Sequence, residues 1–347
     1  MNRAATIALT PLSGLYGLVV DRRSAWYDRG VFRRHRVSVP VISVGNVTAG
    51  GTGKTPLVEW IARTLAAEGL RPCIVTRGYR RKAKGRIVAS NGTEISATLE
   101  EAGDEAFMLA ESLKGKAAVV CDVDRVAGAS WAIENLKSDV IILDDGFQHR
   151  RLARDLDIVT VDATKPWGNG NLLPAGTLRE PLAALSRADC FVITRADDTV
   201  QTAALRAELR KLNAEAPILA SVVKLSQVRA LANGPDAPLD PKGHAIAAFC
   251  AIGNPESFFA LLKRAGFEMK YERAFRDHHR FRQSDLDRVE DGARKAGAEL
   301  LLTTAKDAGK LRELKLGMPC YVVEIAIDIA PSEDFRRLLT TAIESCK

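Results

Sequence analysis

Lys54 and Thr55 follow three glycines, Gly50, Gly51 and Gly53, in the stretch "SVGNVTAGGTGKTP" at residues 43–56. A lysine brings a point charge to the outer phosphates of a nucleotide, and a threonine hydroxyl suits Mg²⁺. Glycines let backbone N–H groups converge on phosphate oxygens. The common spelling, G-x-x-x-x-G-K-[ST], has a glycine where this chain has Thr48. The later glycines can make the sharp bends, so the expected phosphate loop is Thr48, Ala49, Gly50, Gly51, Thr52, Gly53, Lys54 and Thr55. Partition-type ATPases carry a lysine just before the paired glycines; Ala49 stands there instead.

Carboxylates supply the other half of such chemistry. "DVIILDDGFQHR" is an apolar run ending in Asp144 and Asp145, placed to hold Mg²⁺ directly or through water. "EEAGDEAF" sets Asp104 and Glu105 at an expected helix start, where negative charge is favoured. Asp104 there reads either as a base for an acceptor hydroxyl or as a helix cap. His278, in "RDHHR", reads either as the partner of such a carboxylate or as a surface histidine. Residues 76–86, "TRGYRRKAKGR", hold six basic residues and Tyr79, suited to anionic headgroups or phosphates, or else to a solvated loop.

Positioning these groups takes an alternation of strands and helices. "VPVISVGN", "RPCIVTRGY", "AAVVCDV", "DVIILDD", "LDIVTVDA", "DCFVITRA" and "PILASVVKL" read as strands. Between the first two, Leu57, Ile61 and Leu65 stripe a helix that Gly69 stops. Such alternation predicts an α/β fold with a mostly parallel, buried sheet. Residues 232–243, with three prolines and two glycines, read as a loop near a boundary. The expected division is an N-terminal membrane-associating segment at 1–36 and a nucleotide-binding domain at 37–225. A smaller α/β lobe with a C-terminal tail follows at 226–347.

The N-terminal segment puts Leu12, Leu15, Tyr16 and Val19 on one helical face, followed by Trp26 and Tyr27. From residue 22 to 36 there are six arginines and a single acid, Asp28. This suits an amphipathic helix on an anionic membrane surface, or one packed on the next domain. No stretch reaches the roughly twenty apolar residues of a spanning helix. Across 347 residues the net charge of +7 favours anionic partners. The six cysteines are scattered and never form C-x-x-C, which argues for free buried thiols and against a metal cluster or a disulfide framework. No nucleic-acid module surrounds the basic stretch, so nucleic acid is not expected as a partner.

"GNVTAGGTGKTP", "TRGYRR", "GDEAFMLA", "LDDGFQHRRLARDLDIVTVDA", "GNGNLLPAGTLREP", "AFCAIGNPESFF", "RDHHRF" and "TTAKDAGKL", in that order, resemble the tetraacyldisaccharide 4'-kinases of lipid A biosynthesis. The resemblance runs from about residue 10 to 325, and that family's loop also lacks the usual first glycine. It implies a two-lobed phosphate-loop kinase with a parallel-sheet α/β/α core. Such a kinase moves the γ-phosphate of ATP, with Mg²⁺, to the 4'-hydroxyl of the lipid A disaccharide precursor. It implies a peripheral enzyme at the cytoplasmic face of the inner membrane, with no obligate protein partner expected. Asp104 then matches the family's catalytic aspartate and His278 its supporting histidine, preceded by Asp277, with Lys54 also catalytic. Glu105, Asp144 and Asp145, with Thr55, match the metal–nucleotide site. Arg179 matches an arginine near the disaccharide, and Arg77 and Tyr79 are taken as substrate contacts. Arg276 stands where the family pattern has proline, so the turn before His278 is expected to differ, and His279 competes for its role. The rival class is a nucleotide-switched, membrane-binding ATPase that passes its phosphate to no acceptor hydroxyl.

Overall fold

The computed structural model describes residues 3–79, 81–231 and 243–346. The loop expected at 232–243 thus lies, but for Gly243, outside the described residues, as does Arg80. The strands in chain order are β1 (Val41–Gly45), β2 (Pro72–Thr76), β3 (Ile87–Ser90), β4 (Ala118–Cys121), β5 (Val140–Asp144) and β6 (Leu156–Asp162), then β7 (Cys190–Thr194), β8 (Ile218–Ala230), β9 (Ala245–Cys250), β10 (Glu268–Ala274), β11 (Leu300–Thr304) and β12 (Cys320–Ala330). The helices are α1 (Arg3–Asp28), α2 (Lys54–Ala67), α3 (Leu99–Ala102), α4 (Asp104–Ser112), α5 (Arg125–Leu136) and α6 (Thr199–Leu212), then α7 (Pro255–Arg264), α8 (Gln283–Lys295), α9 (Ala305–Ala308) and α10 (Ser332–Glu344).

The twelve strands among the described residues form one sheet in the order β10-β9-β11-β12-β8-β7-β6-β1-β5-β2-β4-β3. Pairing is parallel except for β3 with β4 and β8 with β12. Alternate residues of each central strand enter opposite cores, as the two-residue period of a strand requires. Ile42, Ile74 and Ile142 join Leu57 and Ile61 of α2 on one face. Val41, Cys73, Val75 and Ile141 join Ala129 and Ala132 of α5 on the other. Both faces are covered, which is why these strands read as continuous apolar runs rather than alternating ones.

The far end of the sheet has cores of its own. Phe249 and Leu301 meet Leu286 and Val289 of α8, while Ala248 and Leu302 meet Phe258 and Leu262 of α7. These cores make a second lobe, joined to the first by the long antiparallel pair β8–β12. A boundary drawn between residues 225 and 226 falls inside β8. The expected C-terminal tail is instead a helix, α10, and its place is in the first lobe. Phe335, Leu339, Ala342 and Ile343 lie in one core with Leu57 and Ile61, and Trp60 stacks on Phe335 at 5.2 Å. The sequence "DFRRLLTTAI" carries the helical spacing for that face; its partner lies far away along the chain.

Helix α1 lies on the first lobe through its small and polar side. Ser13 donates to Leu172 O at 3.0 Å and accepts from Ala175 N, and the Tyr16 hydroxyl donates to Arg179 O at 2.9 Å. A Cβ on Gly17 would sit 2.8 Å from Leu172. Leu12, Leu15, Leu18 and Val19 are exposed, Leu15 to 60%. Tyr16, counted with the apolar face from its spacing, therefore belongs to the docking side. No helix among the described residues is long and apolar enough to cross a membrane. The five cysteines on strands are free and buried, and burial pushes their thiols up to about 12.

Candidate active site

The loop after β1 closes onto the N-terminus of α2. Its N-cap is Gly53, at φ +79°, with no side chain capping the helix, so the first-turn N–H groups are left for an anion. A side chain at Gly53 would be strained by that φ and would press on Thr194 at 3.2 Å. Thr48 takes part in a bridge to Leu178, and its carbonyl accepts from Asn46 Nδ2 at 2.7 Å. Thr52 meets Thr160 at 2.8 Å, Thr194 donates to Thr52 O, and Arg195 donates to Gly51 O at 3.1 Å. The ends of β6 and β7 thus brace the loop from outside, and Thr48 is a structural member of it.

Lys54 Nζ lies 3.2 Å from Asn46 Oδ1 and 3.4 Å from Asp145 Oδ1. Asp144 ends β5, paired beside Val44 of β1, and accepts from Thr76 Oγ1 at 3.0 Å. Burial, then the nearby charges of Glu105 and Asp145, push the Asp144 carboxyl up to about 7. For Asp145, burial acts upward, but Lys54 and Arg179 outweigh it and hold the carboxyl below its usual range. Asp145 Oδ1 is buried, with the Lys54 ammonium at 3.4 Å as its charge partner. Crowded, buried carboxylates, one of them pushed up by burial and its neighbours' charge, fit a cation shared with phosphate oxygens. Among the described residues no group of three or more His, Cys, Asp or Glu forms an all-protein metal cage. Mg²⁺ commonly relies on one or two carboxylates with water and phosphate, so Thr55, Glu105, Asp144 and Asp145 fit it on those terms.

Asp104 is the first residue of α4, behind Gly103, and caps nothing. Its Oδ2 instead lies 3.1 Å from His278 Nδ1 and 3.1 Å from Lys310 Nζ. Burial would raise this carboxyl, but the His278 hydrogen bond and Lys310 bring it down to about 2. His279 points elsewhere: it bonds Asp285 at 2.9 Å and stacks on Phe275 at 4.8 Å. Of the two candidates only His278 reaches the carboxylate. Arg276 is exposed in the turn, its carbonyl accepts from His279 N, and His278 itself sits at φ +61°. Asp145 and Arg195 also have positive φ, and all three face one cavity, where such strain tends to collect.

That cavity, about 1440 Å³, lies between the lobes. Gly253 marks how near they come: a Cβ there would lie 3.3 Å from Gly51 N. Lys54, Thr55, Glu105, Asp144, Asp145 and His278 all line it, as do Arg77, Tyr79 and Arg179. Arg179 Nη1 is 2.7 Å from Asp145 Oδ2, and the Tyr79 ring lies 5.5 Å from that of His278. Within the basic stretch at 76–86, Lys82 pairs with Glu100 and Arg86 with Asp122, while Arg81 donates to Cys121 O.

Residues 5–344 match the family described as tetraacyldisaccharide-1-P 4'-kinase, LpxK. The chain belongs to that family. The tetraacyldisaccharide 4'-kinase of Desulfotalea psychrophila is 40% identical over 333 residues, covering 95% of this chain and 94% of the relative. That of Geobacter metallireducens is 41% identical over 313 residues, covering 90% of each. The crystal structure of LpxK from Aquifex aeolicus in complex with ATP superposes with a TM-score of 0.79 at 32% identity, over 97% of this chain and 99% of that one. Family membership makes the protein an ATP-dependent kinase of lipid A biosynthesis.

Several residues that line the 4'-kinase cavity or brace those that do escaped the sequence reading. Asn46 braces Lys54, and Gln148 donates to Asn46 O at 2.9 Å. His149 is held down to about 4 by burial and then by Arg125. Lys306 lies 3.1 Å from Asp277 and 3.4 Å from Glu105. Lys306 and Lys310 stand four apart in "KDAGK", one helical face, but nothing local says what that face meets.

Proposed function

We propose that the protein transfers the γ-phosphate of ATP to the 4'-hydroxyl of tetraacyldisaccharide 1-phosphate, with Asp104 as the base. The observation that carries this is the Asp104–His278 contact of 3.1 Å, in which His278 lines the same cavity as the phosphate loop and Asp104 stands behind it. Asp104 accepts the hydroxyl proton, the freed sugar oxygen bonds to the γ-phosphorus, and the bond to the β,γ-bridging oxygen breaks, releasing ADP. His278 holds the carboxylate in line and takes up part of the charge change. Lys54 and the N–H groups at the α2 terminus meet charge on the outer phosphates. Mg²⁺, held through Thr55, Asp144, Asp145 and Glu105, supplies charge neutralisation across the phosphates when bound. Arg77, Tyr79 and Arg179, which line the cavity, would receive the disaccharide. The exposed Leu12, Leu15, Leu18 and Val19 rest on the anionic cytoplasmic face of the inner membrane, where the acylated substrate resides. Labelled ATP with the lipid precursor tests the whole reading: label must appear on the 4'-position. Turnover that ignores the precursor and follows self-association would mark a nucleotide switch instead.

A further inference from the structure

Lys310 lies in the 3₁₀ turn Gly309–Leu311 behind α9, and only 5% of its side chain is exposed. A lysine so buried must be paired. Its Nζ is 3.0 Å from Asp307 Oδ1 and 3.1 Å from Asp104 Oδ2. Asp307 is fully buried and fixed in turn, accepting from Thr304 Oγ1 and from Ala251 N, each at 2.8 Å. Ala251 also anchors His278, whose backbone N–H donates to Ala251 O at 3.3 Å. One strand end, just past β9, thus sets both second-lobe groups that reach the first-lobe carboxylate. Both make their approach to the same oxygen, Oδ2.

We propose that Lys310 is a positioning residue of the kinase: seated on Asp307, it grips Asp104 by Oδ2 and turns Oδ1 toward the acceptor hydroxyl. The proposal rests on Asp104 being the base. A hydrogen bond from His278 alone leaves the carboxylate free to swing about it; a second donor on the same oxygen, from another direction, fixes the plane. Because Lys310 acts through Asp104 and touches neither substrate, its loss should appear in kcat and leave both KM values in place.

The test compares Lys310→Met, Lys310→Arg and Asp104→Asn, alone and combined, in the precursor assay. Lys310→Met is expected to lower kcat about tenfold or more, with KM for ATP and for precursor within about threefold of wild type. Lys310→Arg restores part of the loss. On the Asp104→Asn background, Lys310→Met should cost less than about twofold more, because groups acting as one unit are not additive. Normal kcat in Lys310→Met, or a full multiplicative loss on the Asp104→Asn background, overturns the proposal while leaving Asp104 as the base. Near-normal kcat in Asp104→Asn overturns the base assignment itself. Should Lys310→Met fail to fold with Asp307 left unpaired, Lys310→Met/Asp307→Asn removes both charges and is read the same way. Lys310→Arg keeps the charge: kcat recovered toward wild type at constant KM supports the proposal, and kcat no better than that of the charge-removed variant opposes it.

Discussion

Lys54 is held by Asn46 and Asp145, and Asp145 has a second cation in Arg179. Lys54→Ala therefore leaves no isolated charge and should fold. Losing about 3 kcal/mol of transition-state stabilisation would cut turnover about a hundredfold. Near-wild-type kcat/KM in the precursor assay would show that this lysine does not serve the phosphates. Asp104→Asn should lower kcat far more than it raises either KM, and His278→Ala by less. The double variant should be little worse than Asp104→Asn; independent multiplication of the two losses would separate the residues. His149 offers a different readout. Burial holds its folded pKa at about 4, below an ordinary 6.5, so its neutral form contributes stability that is fully present above 6.5. That stability falls as pH drops from 6.5 to about 4, where the unfolded chain binds a proton and the folded one does not. Urea midpoints across that range should fall more in wild type than in His149→Gln; parallel curves would discount the histidine. At this scale the sequence was readable where a residue's role is set by its near neighbours, as for Gly53 at the start of α2. Asp104 alone left base and cap undecided, because His278 and Lys310 come from residues distant in the chain.

The strand–loop–helix unit of β1 and α2 was fully legible, since its apolar run, glycines and helical stripe are local signals. Helix α1 was legible as a helix but not in its orientation. Its docking relies on Ser13, Gly17 and Tyr16, small and hydroxyl-bearing residues that let the backbone approach, while the leucines remain outside. Deleting residues 1–20 should weaken binding to anionic liposomes in flotation and spare ATP binding, because the bonds from β6 and β7 to the phosphate loop do not involve α1. An undiminished bound fraction would move the membrane contact to another surface. Adding salt should weaken the wild-type association only in part, since the apolar contribution is not screened.

Across the whole molecule, the alternation of runs predicted a mostly parallel sheet, and that sheet is present. What it did not predict was continuity. The pair β8–β12 carries hydrogen bonding from one lobe into the other, and α10 returns to the first. Inter-lobe pairs such as Arg264 with Asp197 at 3.0 Å add to this. Heating should accordingly give one calorimetric transition; two resolved transitions would show lobes that melt alone. The return of α10 has a further bearing on how the protein is made. Phe335 and Leu339 complete a core whose other members, Leu57 and Ile61, leave the ribosome far earlier. At about 5–20 residues per second the wait is on the order of tens of seconds. Through that interval the nascent chain exposes an unfilled apolar groove beside its phosphate loop, and a chain stalled or cut before residue 332 would present that groove to chaperones and proteases instead of burying it.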